Sequence, residues 1–226
     1  MKFIEIKLFT HCLKEQRNFY HQVLGLPLVK NDDQSFGVAV GSTLLSFRSG
    51  NEKSYYHFAF TVPNNAFSES KNWISSYVPL NTVEGSNEIY FKNWDANACY
   101  FYDPAGNVVE LIARHTIDHF IDHPFTSRDI LAISEIGMPV KDVREAAGQL
   151  RAALNTGTYH GENETFAPLG NEDGLLIVSD DSRNWLGSNK VAKIFPMEIV
   201  LDSPAAASQL DGYPYKFSSK KASASG

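Results

Sequence analysis

Cysteine is scarce in this chain: Cys12 and Cys99 are the only two in 226 residues. They form no Cys-x-x-Cys pair, which excludes a disulfide framework and a cysteine-built zinc site. A reducing, cytoplasmic setting is the expectation. Long apolar runs are missing as well. Gly174–Val178 is among the longest, whereas a membrane helix needs about 18 such residues. Met1 to Phe9 alternates charged and apolar side chains, where a secretory leader would show a basic end and then an apolar run. Positive charge is in deficit, with 20 Lys and Arg against 26 Asp and Glu and a net charge of -6. That balance gives no general attraction to nucleic acid or an anionic membrane, so neither is expected as a partner. Gly-x-Ser-x-Gly and His-Glu-x-x-His are absent. Asn155-Thr-Gly-Thr158 and Gly170-Asn-Glu-Asp-Gly174 lack phosphate-loop spacing and read as turns. The composition that remains is globular, 43% hydrophobic and 20% charged, and supplies a sizeable core.

The chain repeats itself. Three segments join a short strand to an amphipathic helix: Phe3–Phe9 with Leu13–Leu24, Tyr56–Val62 with Phe67–Val78, and Leu131–Val140 with Val143–Leu154. Leu13, Tyr20, Val23 and Leu24 stand at i, i+7, i+10 and i+11; Phe67, Ile74, Tyr77 and Val78 repeat those offsets, as do Val143, Leu150, Ala153 and Leu154. Short strands follow each helix: Leu28–Asn31, Phe36–Val40 and Thr43–Arg48, then Ile89–Asn93, Ala98–Tyr102 and Asn107–Ala113. Asp103-Pro-Ala-Gly106 suits a type I turn with a left-handed exit. The unit is therefore βαβββ. It is complete twice by Ala113 and recurs less clearly to Ser179, with one further strand at Phe195–Leu201.

Strand side chains alternate between faces. Ile4, Ile6 and Leu8 form the helix-side row of the first strand, sending Phe3, Glu5, Lys7 and Phe9 to the other face. In the second unit Tyr56, Phe58, Phe60 and Val62 form that row, and His57 lies opposite with Ala59 and Thr61. Glu110 shares a face with Val108 and Ile112. A carboxylate among apolar neighbours is costly unless a cation or strong hydrogen bonds compensate it. His115, His119 and His123 recur every four residues with Asp118 and Asp122 between them. On a helix they would share a face and could hold zinc, but Pro124 and their place between units favour a connecting segment.

The tandem units, the Phe19-Tyr20-x-x-Val-Leu-Gly25 helix end and the Asp103-Pro-x-Gly-Asn-x-x-Glu110 hairpin resemble the vicinal oxygen chelate superfamily. It includes glyoxalase I, fosfomycin-resistance enzymes, extradiol ring-cleaving dioxygenases and bleomycin-binding proteins. The resemblance implies an α+β fold in which tandem βαβββ units form a curled mixed-sheet cup with helices on its outer face. Residues 1–115 would be the paired units with a metal cup and 116–129 a connecting segment. Residues 130–203 would be a third, incomplete unit plus one strand, and 204–226 a disordered tail. It also implies a divalent metal, with ligands from the opening and last strands of paired units. His57 and Glu110 match two such positions. The opening-strand position of the first unit falls on Glu5, eight residues before Leu13, and its last-strand position falls on Ser46, which departs from the carboxylate of the glyoxalases. Glu5, His57 and Glu110 would hold Mn²⁺, Fe²⁺, Zn²⁺ or Mg²⁺, with Glu110 or Glu5 as general base. Ser46, Arg48 and Tyr100 would contact substrate. Glu135, eight residues before Val143, takes the opening-strand position of the third unit. Ile177 stands where that unit's last-strand carboxylate should be, so the third unit is expected to be a scaffold and Glu135 dispensable.

The function implied is that of a metal-dependent enzyme acting on a small molecule with vicinal oxygens. Two carboxylates neutralise a divalent ion, which favours an isomerase, lyase or transferase over an extradiol ring-cleaving dioxygenase. The alternative is a metal-free binding protein resembling bleomycin-resistance proteins, with Trp73, Tyr90, Trp94 and Tyr100 as aromatic walls. Under it, His57 is a satisfied sheet histidine, Glu110 a relic and Glu5 a partner of Lys7. Phe195–Leu201 either completes the third unit's sheet or leaves an edge that a homodimer covers.

Overall fold

The computed structural model describes residues 1–202 and 208–219. The first unit runs β1 (Phe3–Thr10), α1 (Leu13–Arg17, continued by a π-helical turn over Asn18–Val23), β2 (Leu28–Asn31), β3 (Ser35–Val40) and β4 (Thr43–Ser49). The second is β5 (His57–Thr61), α2 (Phe67–Ser75), β6 (Ile89–Phe91), β7 (Ala96–Tyr102) and β8 (Val108–Arg114). The third is β9 (Ala132–Val140), α3 (Val143–Leu154), β10 (Phe166–Asn171) and β11 (Gly174–Asp180), its outermost strand reduced to a bridge between Thr158 and Leu169. Then come β12 (Met197–Leu201), β13 (Ser208–Gln209) and β14 (Tyr215–Ser219). In every unit the opening strand lies parallel to the last, and hairpin strands extend outward. The Asp103 turn closes as expected: Gly106 N donates to Asp103 O at 2.8 Å, and Gly106 has φ +80°, which a side chain would strain.

The pairing of units differs from expectation. The first two units do not share a sheet; the strand orders are β13-β14-β12-β1-β4-β3-β2 and β10-β11-β9-β5-β8-β7-β6. Each opening strand has one edge covered by its own last strand and needs a partner on the other. β5 takes β9, and β1 takes β12, both antiparallel. The strand at Met197–Leu201 thus completes the first unit's sheet, not the third's, and opens a short fourth unit. Part of the expected tail is accordingly ordered, because Tyr215 and Phe217 alternate into the core. The remainder of that tail, 204–207 and 220–226, lies outside the described residues.

The helix-side faces of both sheets merge into one core. Tyr20 ties them together, stacking on Phe47 of one sheet at 5.4 Å and meeting Phe60 of the other at 6.5 Å. Burying side chains of this size is worth roughly 1.5–3 kcal/mol each. Two of the three i+10 positions depart from the expected helix face: Tyr77 and Ala153 are exposed, while Val23 is half-buried against the core. At 100° per residue, i+10 falls about 80° from the stripe centre, whereas i+7 and i+11 fall about 20° from it. A β-bulge between Phe3 and Glu5 likewise turns Phe3 into the core and leaves Ile4 half-buried.

Candidate metal centre

The cup face of the second sheet carries the polar residues. Ala59, at the centre of β5, pairs with Glu110 of β8 on one side and Glu135 of β9 on the other. The methyl group of Ala59 leaves a gap between the two carboxylates. His57 lies two residues earlier on the same face and points across that gap. One ligand atom from each of His57, Glu110 and Glu135 lies within 4.8 Å of the others, and all three residues are buried.

The surroundings fix the state of each group. His57 Nδ1 is 3.0 Å from the Val108 carbonyl, which can only accept, so Nδ1 carries the proton and Nε2 a lone pair. Nε2 stands 3.6 Å from Glu110 Oε2. Burial holds the His57 pKa below its ordinary value, with Glu135 opposing, and keeps the ring neutral. Burial, reinforced by the charge of Glu135, pushes the Glu110 carboxyl well above the usual range; Arg114 and a hydrogen bond from Tyr100 oppose this. Tyr100, buried beside Glu110, is pushed well above the ordinary phenol value and remains a donor.

Arg114, fully buried at the end of β8, pairs with Glu135 Oε1 and donates from Nη1 to Ser134 Oγ at 3.0 Å. Trp94 covers it, with Cζ 5.8 Å from the ring centroid. Trp185 lies over His57 with ring centroids 5.1 Å apart. That close approach depends on Gly137, where a Cβ would come within 2.5 Å of Trp185 Cη2 and 3.1 Å of His57 Cβ. The segment carrying Trp185 is strapped to the second unit: Asn81 Nδ2 donates to Gly187 O at 2.7 Å, Lys190 Nζ to Gly106 O at 2.7 Å, and Tyr55 Oη to Val191 O at 2.7 Å. His57, Tyr100, Glu110 and Glu135, with Trp94 and Trp185, line a cleft of about 460 Å³.

The donor set suits a divalent ion. Three lone-pair donors converge where one guanidinium, bonded to Glu135 alone among them, cannot satisfy all. A buried pair of carboxylates needs a further proton or cation. One imidazole and two carboxylates are acceptable to Zn²⁺, Mn²⁺, Fe²⁺ or Mg²⁺.

The expected residues separate into two places. His57, Glu110 and Tyr100 come together, as the face alternation required. Glu5, Ser46 and Arg48 stand on the first sheet, so the expectation that Glu5 joins His57 and Glu110 is not met; Glu135 does so instead. The two sheets explain the substitution. Lys7 pairs with Ser46 and Glu198 in the register in which Ala59 pairs with Glu110 and Glu135. Glu5 is therefore the counterpart of His57, two residues before the central position. In the first sheet the gap is filled: Lys7 Nζ lies 3.3 Å from Glu198 and 4.0 Å from Glu5, while Glu5 also accepts from Lys30 at 2.8 Å and Ser46 at 2.7 Å. Lysine ammonium groups thus stand where the other cup has room. Arg48 is exposed beside that cluster. The region around His115, His119 and His123 forms no helix; His115 meets Asn97 and His123 meets Asp129.

Arg114 and Trp185 were not legible as site residues. Arg114 continues the face of Val108, Glu110 and Ile112 by one more alternation, a usable signal had β8 been extended to it. Trp185 sits in a loop, with only the mid-strand Gly137 to hint at a close approach.

No family model matches the chain, and no curated protein matches it significantly. Among solved structures, a "putative dioxygenase" from Bacillus subtilis is 17% identical with a TM-score of 0.61, covering 89% of this chain and 70% of that one. Glyoxalase I from Zea mays is 15% identical with a TM-score of 0.55, covering 88% and 74%. At these identities the likeness shows the fold alone, an arrangement of βαβββ units shared with the dioxygenase-titled protein and glyoxalase I. Among the described residues no helix is long and apolar enough to cross a membrane.

Proposed function

We propose that the chain is a metal-dependent enzyme acting on a small molecule with neighbouring oxygens, its centre formed by His57, Glu110 and Glu135. The observation that carries this reading is the convergence of three buried lone-pair donors on the gap above Ala59. A divalent ion held there would supply Lewis-acid polarisation of the substrate's oxygens.

The chain's own residues do the rest. Val108 fixes the His57 tautomer, so that Nε2 presents its lone pair inward. Arg114 holds Glu135 through Oε1, leaving Oε2 outside that pairing. Glu110, which lacks the Arg114 pairing that holds Glu135, is the carboxylate left to take a proton from bound substrate and return it to a neighbouring atom, and burial raises its proton affinity when no ion is bound. Tyr100 donates to Glu110 and limits that rise. Trp185 and its strap keep water from the base of the cleft. Two carboxylates alone would neutralise a divalent ion, but with Arg114 paired to Glu135 the loaded centre would keep one positive charge, so the charge count does not separate isomerase, lyase or transferase chemistry from ring cleavage. The two free cysteines, one half-buried and one buried, accord with a reducing cytoplasm.

One observation favours the second reading, a metal-free binding protein: Arg114 already gives Glu135 an internal counter-ion. A single series separates the two. Protein loaded with Mn²⁺, Fe²⁺, Zn²⁺ or Mg²⁺ is screened with catechols, hemithioacetals and epoxides. Metal-dependent turnover that His57→Ala abolishes supports the enzyme. Ligand binding indifferent to metal, without turnover, supports the binding protein.

A further inference from the structure

The chain carries a net charge of -6, yet the rim of its main cleft is cationic. Lys92 and Arg183 both line it, and the only carboxylates in the lining are Glu110 and Glu135 at the base. Neither Lys92 nor Arg183 is in a salt bridge among the described residues. Asp180, the acid that the charge of Arg183 reaches, already accepts from Ser182 N and Oγ. Arg183 sits over Phe166, its Cζ 5.3 Å from the ring centroid, and among the described residues only its Nη1 donates from the guanidinium, to the Thr165 carbonyl at 3.3 Å and to Thr165 Oγ1 at 3.5 Å. Nε and Nη2 have no partner among the described residues, in the fork geometry that grips a carboxylate.

Between this rim and the metal centre the walls are aromatic. Phe91 and Trp94 meet at 6.0 Å, Trp94 meets Tyr159 edge-on at 5.4 Å, and Trp185 closes the base over His57. Tyr90 and Leu186, at the same mouth, are 55% and 48% exposed, so apolar surface there is uncovered. Flat aromatic walls select a planar body, and free cations at one end select a negative tail.

We infer that the cleft takes a planar, aromatic ligand carrying an anionic tail of the carboxylate class, with the ring between Phe91, Trp94 and Trp185 and the tail on Arg183 and Lys92. The inference rests on reading this cleft as the small-molecule site, but not on the metal.

The test is calorimetric titration of naphthalene-2-acetate and naphthalene-2-acetamide, which share ring and tail shape while only the acetate is charged, into EDTA-treated full-length protein at low salt. The acetate should bind at least about tenfold more tightly than the amide. Its advantage should shrink as salt rises. Replacing both rim cations, Lys92→Gln with Arg183→Gln, should bring the two ligands to equal affinity; both side chains are exposed, so folding is not at stake. Equal binding of the two ligands by the unaltered protein, no binding of either, or a preference that survives the double substitution would overturn the inference. Because metal is removed throughout, a chain that proved to hold no ion would leave this result standing.

Discussion

Replacing Arg114 by Met tests the electrostatics of the centre most severely. Met keeps the length of the aliphatic stem beneath Trp94 and removes the guanidinium. Arg114 is wholly buried and the Glu135 side chain is 4% exposed, so solvent screening gives little relief. Breaking a buried pair by removing one partner costs about 3–5 kcal/mol, because the surviving charge is left uncompensated. In a chain of this length 1 kcal/mol moves the melting temperature by about 2–4 °C. The metal-free variant should therefore melt roughly 6–20 °C below the parent. A saturating divalent ion replaces the missing positive charge, so its stabilising effect should be larger in the variant than in the parent. Thermal unfolding of both proteins, in EDTA and in excess Mn²⁺, reads all four values. A metal-free variant within about 0.5 kcal/mol of the parent, the scatter of ordinary surface substitutions, would refute the reasoning. So would a variant that gains no more from the ion than the parent does.

Two further outcomes follow from the geometry. Gly137→Ala places a Cβ within 2.5 Å of the Trp185 ring, and should cost about 1–3 kcal/mol of overpacking; chemical denaturation measures the loss, and altered tryptophan emission reports displacement of Trp185. The second concerns Cys99, whose thiol is pushed from 9.0 up to about 12, first by burial and then by Glu110. A raised value means that its contribution is whole below the unfolded-state value and is lost as pH rises through the folded one. Stability of the parent relative to Cys99→Ala should thus fall above pH 9.0 by roughly 1.4 kcal/mol per pH unit. Urea denaturation at several alkaline pH values checks this, and parallel curves for the two proteins would contradict it.

Much of the fold was legible because each unit encodes itself. Helix stripes, the two-residue period of the strands and the Asp103 turn are local signals, and all three placed elements correctly to within a few residues. Which units pair was not local. β5 could meet the opening strand of any other unit, since nothing in its sequence distinguishes β1 from β9 as a partner. That single ambiguity misplaced Glu5. By position along its unit Glu5 is a true counterpart of His57, but it belongs to the cup that Lys7 fills. The same ambiguity made Glu135 look solitary, because Ile177 occupies the place of its unit's other carboxylate. Its actual companions come from β5 and β8. His57, Glu110 and Tyr100 were legible because alternation fixed their face, whichever unit lay beside them. The tail was misread because the Ala- and Ser-rich composition around 203–207 masks the Tyr215 and Phe217 alternation beyond it.

In the proposed centre Glu135, not Glu5, joins His57 and Glu110. Elemental analysis of metal-reconstituted, desalted protein addresses this directly, with Glu135→Gln and Glu5→Gln measured beside the parent. About one divalent ion per chain is expected in the parent and in Glu5→Gln, since useful sites take about three protein ligands, and a loss of most of it in Glu135→Gln. Retention of a full complement by Glu135→Gln, or its loss from Glu5→Gln, would rule out Glu135 as the third ligand.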